Sequence, residues 1–273
     1  LKKTLESFRR NGAALEGEKK ARVEAIDTRL SEITTRFAQN VLDSTNAYEL
    51  YLPTEESLAG LPESAKVAAR EAAVAQGKDG YRFTLHAPSV IPLLTYLDDA
   101  VVREQVWRAY NTRATQGEHD NGPLLQEIVA LRAEKAALLG YANFADLVLE
   151  SRMAKTGAQA REFVDDLVTR TEAAFAQENQ ELQAYRRELE GPNAAALQPW
   201  DVGYYAEKLR NARFDFDEEE LRPYFPVKGV LDGLFAIVQR LFDVRIEPAA
   251  LPTWDPEVKI GRASCRERVS SPV

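Results

Sequence analysis

A long run of apolar residues at helical spacing is the feature that most constrains how this chain folds. Six apolar residues recur at steps of three or four positions: Val23, Ile26, Leu30, Ile33, Phe37 and Val41. That spacing puts all six on one face of a helix roughly 28 Å long, at about 1.5 Å per residue. Charged residues such as Glu24 and Arg29 lie between them. The segment therefore predicts an amphipathic helix.

Helical periodicity continues through most of the chain. Further helices are predicted at 63–76, 99–113, 121–140, 156–190 and 227–242. The one at 156–190 is the longest, about 50 Å. Short strands are predicted at 81–85, 244–246 and 258–260. The predicted fold class is mainly α, a lobe built as a bundle of long helices with minor short β-strands.

Several helix boundaries carry recognisable signals. Asn121-Gly122-Pro123 predicts a start with Asn121 as the N-cap, and Thr156 with Gln159 has the capping-box form. Gly140 and Gly191 are typical helix stops. These signals fix where two of the predicted helices begin and end.

Two other regions carry expectations of their own. Pro88 and Pro92 frame a turn that leads into the next helix, and Asp217 followed by acidic residues 218–220 suits a helix N-terminus. The helix at 227–242 is expected to pack an apolar face toward a core. That face comprises Val230, Leu231, Leu234, Phe235, Val238, Leu241 and Phe242.

Composition excludes several classes of protein. The 273 residues carry a net charge of −8, which argues against a nucleic-acid partner. No apolar run approaches 18 residues and no signal-peptide pattern is found, so neither a membrane span nor a leader is predicted. One cysteine cannot form an internal disulfide. Two histidines and one cysteine are too few for a closed zinc site.

Individual candidate residues have ordinary explanations. His86 could orient a substrate, but beside Pro88 it is more typical of a surface hydrogen-bonding residue, and His119 lies among polar turn residues. Cys265 would need a nearby base to act as a nucleophile. No Gly-x-Ser-x-Gly elbow or phosphate-binding Walker pattern is present. No catalytic, substrate-binding or metal-ligating residue is assigned within this chain.

An aromatic group and an acidic run are the remaining candidates. The aromatic residues Trp200, Tyr204, Tyr205, Tyr224 and Phe225 could line a peptide channel. Trp200 and Tyr204 are spaced by four positions, which favours packing in a core over a channel. Glu218–Glu220 could bind a cation, but charge complementarity with a helix N-terminus explains them without a ligand.

Several segments together resemble the thimet-oligopeptidase-like zinc metallopeptidases. The clearest is Leu197-Gln198-Pro199-Trp200-Asp201-Val202-Gly203-Tyr204-Tyr205, followed by Asp217 to Pro226 and Gly233-Leu234-Phe235. Further matching pieces are Leu30 to Thr45, Gly60 to Ser64, Tyr81 to Pro92, Arg108 to Tyr110 and Leu138 to Tyr141. The similarity runs from about residue 4 to 260, and the order and spacing of the pieces carry it.

This resemblance implies a cytoplasmic, two-lobed, mostly helical hydrolase with a channel for short peptides. Such metalloproteases hold zinc through His-Glu-x-x-His on a helix, with Glu accepting a proton from bound water. That motif is absent here, and it falls C-terminal of the segment around Trp254, where Asp255 replaces the family's usual His. The zinc ligands are therefore expected outside this chain. By itself the chain is predicted to be inactive.

The expected organisation has three parts. Residues 1–198 form a helical lobe truncated at its N-terminus, 199–260 begin the catalytic-lobe region, and 261–273 resemble translated vector or adapter sequence. The leading hypothesis is a piece of a zinc oligopeptidase that forms scaffold and channel wall. Its expected partners are short peptides and the missing C-terminal half of the same chain. The alternatives are a non-catalytic helical interaction module and, least favoured, an independent hydrolase.

Overall fold

The computed structural model describes residues 2–214, 218–255 and 258–265. Two compact units divide the chain, Leu1–Arg213 and Phe214–Val273. Among the described residues, ten α-helices and two small antiparallel strand pairs confirm the mainly α fold class. The predicted boundaries at 198/199 and 260/261 stay predictions.

The first unit consists of helices that surround one short strand pair. Its α-helices are α1 (Lys2–Arg10), α2 (Gly17–Ala47), α3 (Glu63–Val74), α4 (Ala87–Tyr96), α5 (Ala100–Asn111), α6 (Gly122–Leu138), α7 (Phe144–Leu149), α8 (Gly157–Glu190) and α9 (Val202–Phe214). Its strands are β1 (Leu50–Leu52) and β2 (Tyr81–Phe83), and 3-10 turns span Glu55–Leu58 and Gly117–His119. The sequence pattern does not predict strand β1, and strand β2 is shorter than predicted.

The apolar stripe of α2 is confirmed, because Val23, Ile26 and Ile33 are buried. Ion pairs along its edge fix the direction of its neighbour α6. Arg22 lies 2.6 Å from Glu134, and Arg29 lies 2.7 Å from Glu127. From the first pair to the second, the residue number increases on α2 and decreases on α6. The two helices therefore run antiparallel.

The helix α4, which the sequence pattern does not predict, packs in the core around the strand pair. The turn predicted at Pro88 and Pro92 is wrong, since both residues lie inside α4. A proline in the first helical turn gives up no hydrogen bond, whereas Pro92 removes one from the ladder. Burial of Val90 and Leu93 in the core offsets that loss.

The predicted start of α6 is confirmed, but the prediction that the Asn121 side chain caps it is wrong. The Asn121 side chain makes no cap hydrogen bond; its amide donates to the Phe37 carbonyl and its oxygen accepts from Asn40 Nδ2 at 2.8 Å. Asp120 Oδ1 accepts instead from the Gly122 N–H at 2.8 Å. The asparagine therefore ties the start of α6 to α2.

Other boundary signals are confirmed. Thr156 Oγ1 accepts from the Gln159 N–H at 3.2 Å, as the capping box predicts. Gly140 and Gly191 have φ of +84° and +97°, values that favour glycine. The helix α8 accordingly runs from Gly157 to Glu190, as expected.

The second unit contains a 3-10 segment at Glu218–Tyr224, α10 (Val227–Phe242), β3 (Val244–Ala249) and β4 (Ile260–Cys265). The strands pair antiparallel from Val244 opposite Cys265 to Ala249 opposite Ile260, so the strand predicted at 258–260 begins later than expected. Asp217 lies outside the described residues. The predicted core face of α10 is wrong, because Val230, Leu231, Leu234, Phe235, Leu241 and Phe242 are exposed. The described residues supply no layer that covers them.

Candidate functional site

The segment before α9 is organised around one buried carboxylate. Asp201 is 2% exposed and stands at the start of α9, where its carbonyl accepts the N–H of Tyr205 at 3.0 Å. Its Oδ1 accepts from Arg103 Nη2 at 2.7 Å, and its Oδ2 accepts from Arg186 Nη1 at 2.9 Å. A single carboxylate therefore joins α5, α8 and α9.

Arg103, on α5, is the second buried charge of this cluster. Its Nη1 donates to the carbonyls of Leu97 and Asp98 at 2.7 and 3.0 Å, and its Nε donates to the Trp200 carbonyl at 3.2 Å. A buried guanidinium needs such a shell of acceptors because desolvation is costly. These contacts fix the end of α4 and the turn before α9 against α5.

Two consecutive tyrosines of α9 extend the cluster in different directions. The Tyr204 hydroxyl donates to Asp98 Oδ1 at 2.6 Å, and the Tyr205 hydroxyl donates to Glu190 Oε1. Burial, followed by the acceptor carboxylate, raises the pKa of each phenol above its ordinary value. Both side chains are therefore neutral hydrogen-bond donors near neutral pH.

Glu190, at the end of α8, is held in its charged form. Partial burial raises its pKa, but hydrogen bonds from Tyr205 and Arg186 outweigh that effect and the net pKa is lowered. Arg186 Nε donates to Glu190 Oε2 at 3.0 Å. Arg186 thus bridges the carboxylates of Glu190 and Asp201.

The aromatic candidates divide into packed and exposed residues. Tyr204 and Tyr205 are buried, with ring centroids 5.0 Å apart in an edge-on arrangement, so the packing predicted for Tyr204 is confirmed. Trp200 is half-buried, with its ring centroid 5.8 Å from that of Trp107. Tyr224 and Phe225 are 78% and 64% exposed.

The other candidates are scattered. His86 is exposed and borders a cavity of about 400 Å³ lined by alanines of α3. His119 is half-buried, and its Nε2 lies 3.7 Å from Glu118. The side chains of Cys265, Glu218 and Glu219 lie outside the described set, and Glu220 is exposed. The described candidates do not assemble into a nucleophile, base or metal site.

Comparison with known proteins decides the family. The model of peptidase family M3 matches residues 93–264, which is more than half of the chain and includes Arg103, Arg186 and Asp201. The chain belongs to peptidase family M3. This M3 chain is 40% identical to oligopeptidase A of Haemophilus influenzae over 265 residues, and 38% identical to oligopeptidase A of Escherichia coli over 261 residues.

The alignments cover most of this chain but less than half of each relative. The first match includes 95% of the M3 chain but 39% of the Haemophilus protein, and the second includes 93% and 38%. Dipeptidyl carboxypeptidase of Escherichia coli is 31% identical over 253 residues, which are 91% of this chain and 37% of the relative. The chain therefore spans about two fifths of the length of the curated relatives it matches.

The residues described in this M3 chain do not fit the zinc ion that the resemblance implies. Across 2–214, 218–255 and 258–265, no three His, Cys, Asp or Glu side chains are grouped so that they could hold a metal ion. No step of catalysis is assigned to them. In the same ranges, no helix combines the length and apolarity needed to cross a membrane.

Sequence reasoning missed the two arginines that matter most in this site. Arg103 lies in the register of the predicted helix at 99–113 that also contains Val106, which is fully buried. A charged residue in an apolar register signals a buried counter-ion, and Asp201 of the quoted signature supplies it. The partner remained hidden because it lies 98 positions away.

Proposed function

We propose that the intact protein is a zinc-dependent oligopeptidase that hydrolyses short peptides with metal-activated water, and that this chain supplies scaffold and channel wall. The match to peptidase family M3 carries the proposal. The names of the relatives, oligopeptidase A and dipeptidyl carboxypeptidase, support peptides as the substrate class. Bound zinc would supply an activated water; its ligands are assigned to sequence outside this chain.

The buried cluster supports a scaffold role for the signature segment. Asp201, Arg103 and Arg186 direct their polar atoms at one another and at backbone carbonyls. Groups used in this way set the relative positions of three helices. They hold α9 and the turn before it in one place, as the wall of a channel requires.

The expected surroundings follow from the same proposal. The substrates are short peptides, the compartment is the cytoplasm, and the main partner is the remainder of the same polypeptide. The net charge of −8 supports the expectation of no nucleic-acid partner. No membrane partner is expected.

A non-catalytic helical interaction module is the second candidate, and the exposed apolar face of α10 favours it. The source DNA after codon 260 separates the two. An open frame that encodes His-Glu-x-x-His supports the peptidase, whereas a genuine stop supports the module.

The test of activity uses the complete open reading frame. The purified full-length protein is incubated with a quenched fluorescent peptide, before and after dialysis against a metal chelator. We expect hydrolysis that the chelator abolishes and zinc restores. Absence of hydrolysis across a panel of short peptides of varied sequence would contradict the proposal.

A further inference from the structure

The middle of α8 is exposed along its length, although both of its ends are held. Residues 161–178 are all exposed, a length of roughly 27 Å at about 1.5 Å per residue. At one end the Gly157 N–H donates to Asp146 Oδ1 at 2.7 Å. At the other end the Tyr185 hydroxyl donates to the Lys208 carbonyl at 3.1 Å. The exposed segment 161–178 is therefore held in position at both of its ends.

One face of this span is apolar enough for a core. Its apolar residues are Phe163, Val164, Leu167, Val168 and Phe175, which are between 44% and 66% exposed. At 100° per residue, Val164, Val168 and Phe175 fall within about 40° of one another around the helix. We call these five residues the α8 stripe.

The α8 stripe continues an interface that already exists. Leu182 lies seven positions after Phe175, on the same side of the helix, and is buried against Tyr204 and Tyr205 of α9. The helix thus has one apolar face, which α9 covers at the C-terminal end and which is open before it. A second helix laid in line with α9 would complete the same packing.

The charges beside the stripe disfavour a second copy of this chain as the occupant. Glu172 and Glu178 flank Phe175 at three positions on either side. Across 161–178 the acidic residues number five and the basic residues two. Two such faces would bring like charges together, whereas a helix with lysine or arginine beside its apolar face would be complementary.

We propose that the α8 stripe receives an amphipathic helix with basic flanks from the part of the same polypeptide that this chain does not span. The inference rests on the proposed function, in which the intact protein has the length of its relatives. The match to 39% of the Haemophilus protein indicates that ample chain exists to supply it. The stripe is then an internal interface of the intact peptidase.

The test compares cysteine labelling in the 273-residue chain and in the full-length protein. Val168→Cys places a thiol in the stripe, and Ala173→Cys places one about 140° away around the helix as the matched control. Maleimide labelling at each site is followed by peptide mass spectrometry. In the short chain both thiols should react at similar rates at every protein concentration. In the full-length protein the Val168→Cys thiol should react at least about tenfold more slowly, with Ala173→Cys unchanged.

Two outcomes would overturn the proposal. Equal labelling of Val168→Cys in both proteins would mean that nothing covers the stripe. Labelling of Val168→Cys in the short chain that slows with concentration, while that of Ala173→Cys does not, would identify a second copy as the occupant. A further pair, Glu172→Lys with Glu178→Lys, should restore fast labelling in the full-length protein; unchanged protection would exclude basic flanks.

Peptidase activity of the full-length protein is measured separately. Protection of Val168→Cys without peptide hydrolysis would support the interface and contradict the proposed function. Hydrolysis without protection of Val168→Cys would support the proposed function and contradict the interface. The two proposals therefore fail independently.

Discussion

Arg103 and Asp201 form a buried ion pair, with Nη2 and Oδ1 2.7 Å apart and side chains 1% and 3% exposed. They lie on different elements, α5 and the start of α9. Their pairing brings together two parts of the matched family region that are distant in sequence. A buried pair of this kind is costly to break, because the remaining partner keeps its charge without compensation.

Asp201→Asn is the first prediction. The substitution preserves shape but leaves Arg103 and Arg186 without their shared carboxylate, so the free energy of unfolding should fall by about 3–5 kcal/mol. Urea unfolding followed by circular dichroism measures it. The control is Asp165→Asn, on the exposed part of α8, which should change stability by less than about 0.5 kcal/mol. Equal effects at the two positions would contradict the account of the site.

Tyr204→Phe tests the donor to Asp98. Removing the hydroxyl deletes a 2.6 Å hydrogen bond to a carboxylate, so unfolding should become easier by about 1.5–3 kcal/mol. Tyr224→Phe, at a residue that is 78% exposed, is the matched control and should be neutral. If both variants unfold at the same urea concentration as the parent, the hydroxyl does not stabilise α9.

The lowered pKa of Glu190 predicts a pH dependence of stability. A carboxylate with a depressed pKa in the folded state stabilises above its unfolded pKa of about 4.3, and that stabilisation is lost as pH falls through the folded pKa. The parent should therefore be more stable than Glu190→Gln at pH 6, and the difference should shrink toward pH 3. The control is Glu188→Gln, on the exposed surface of α8, which should lower stability at pH 6 by less than Glu190→Gln does. A constant difference across this range would contradict the assignment.

The exposed face of α10 predicts self-association of the 273-residue chain. Exposed apolar patches favour association, and Leu241 and Phe242 are among the most exposed residues of this face. Sedimentation velocity should show aggregates that Leu241→Asp with Phe242→Asp reduces, while Val74→Asp on α3 leaves them unchanged. A monodisperse parent with one sharp unfolding transition would contradict this prediction.

Local periodicity predicted most helices well, for a physical reason. The α2 stripe, the Thr156 cap and the Gly191 stop depend on residues within one or two helical turns, so their signals are readable in the sequence. The helix α4, where a turn was predicted, is different, because burial of Val90 and Leu93 overrides the local effect of two prolines. The predicted core packing of the apolar face of α10 is wrong, because periodicity does not say whether a covering layer is present.

Only part of the candidate site could be predicted from the sequence. The four-residue spacing of Trp200 and Tyr204 predicted packing, and the burial of Tyr204 confirms it. The buried ion pair could not be predicted, since Arg103 and Asp201 meet only through tertiary packing. Asn121 shows the same limit, because its side chain serves a contact with α2 in place of the local cap.

The most direct test of the central claim is peptide turnover by the 273-residue chain supplied with zinc. If this chain is scaffold and the metal ligands lie elsewhere, a quenched fluorescent peptide should remain intact, with the same fluorescence in the presence and absence of chelator. The full-length protein in a parallel reaction should cleave it. Chelator-sensitive turnover by the 273-residue chain alone would contradict the claim.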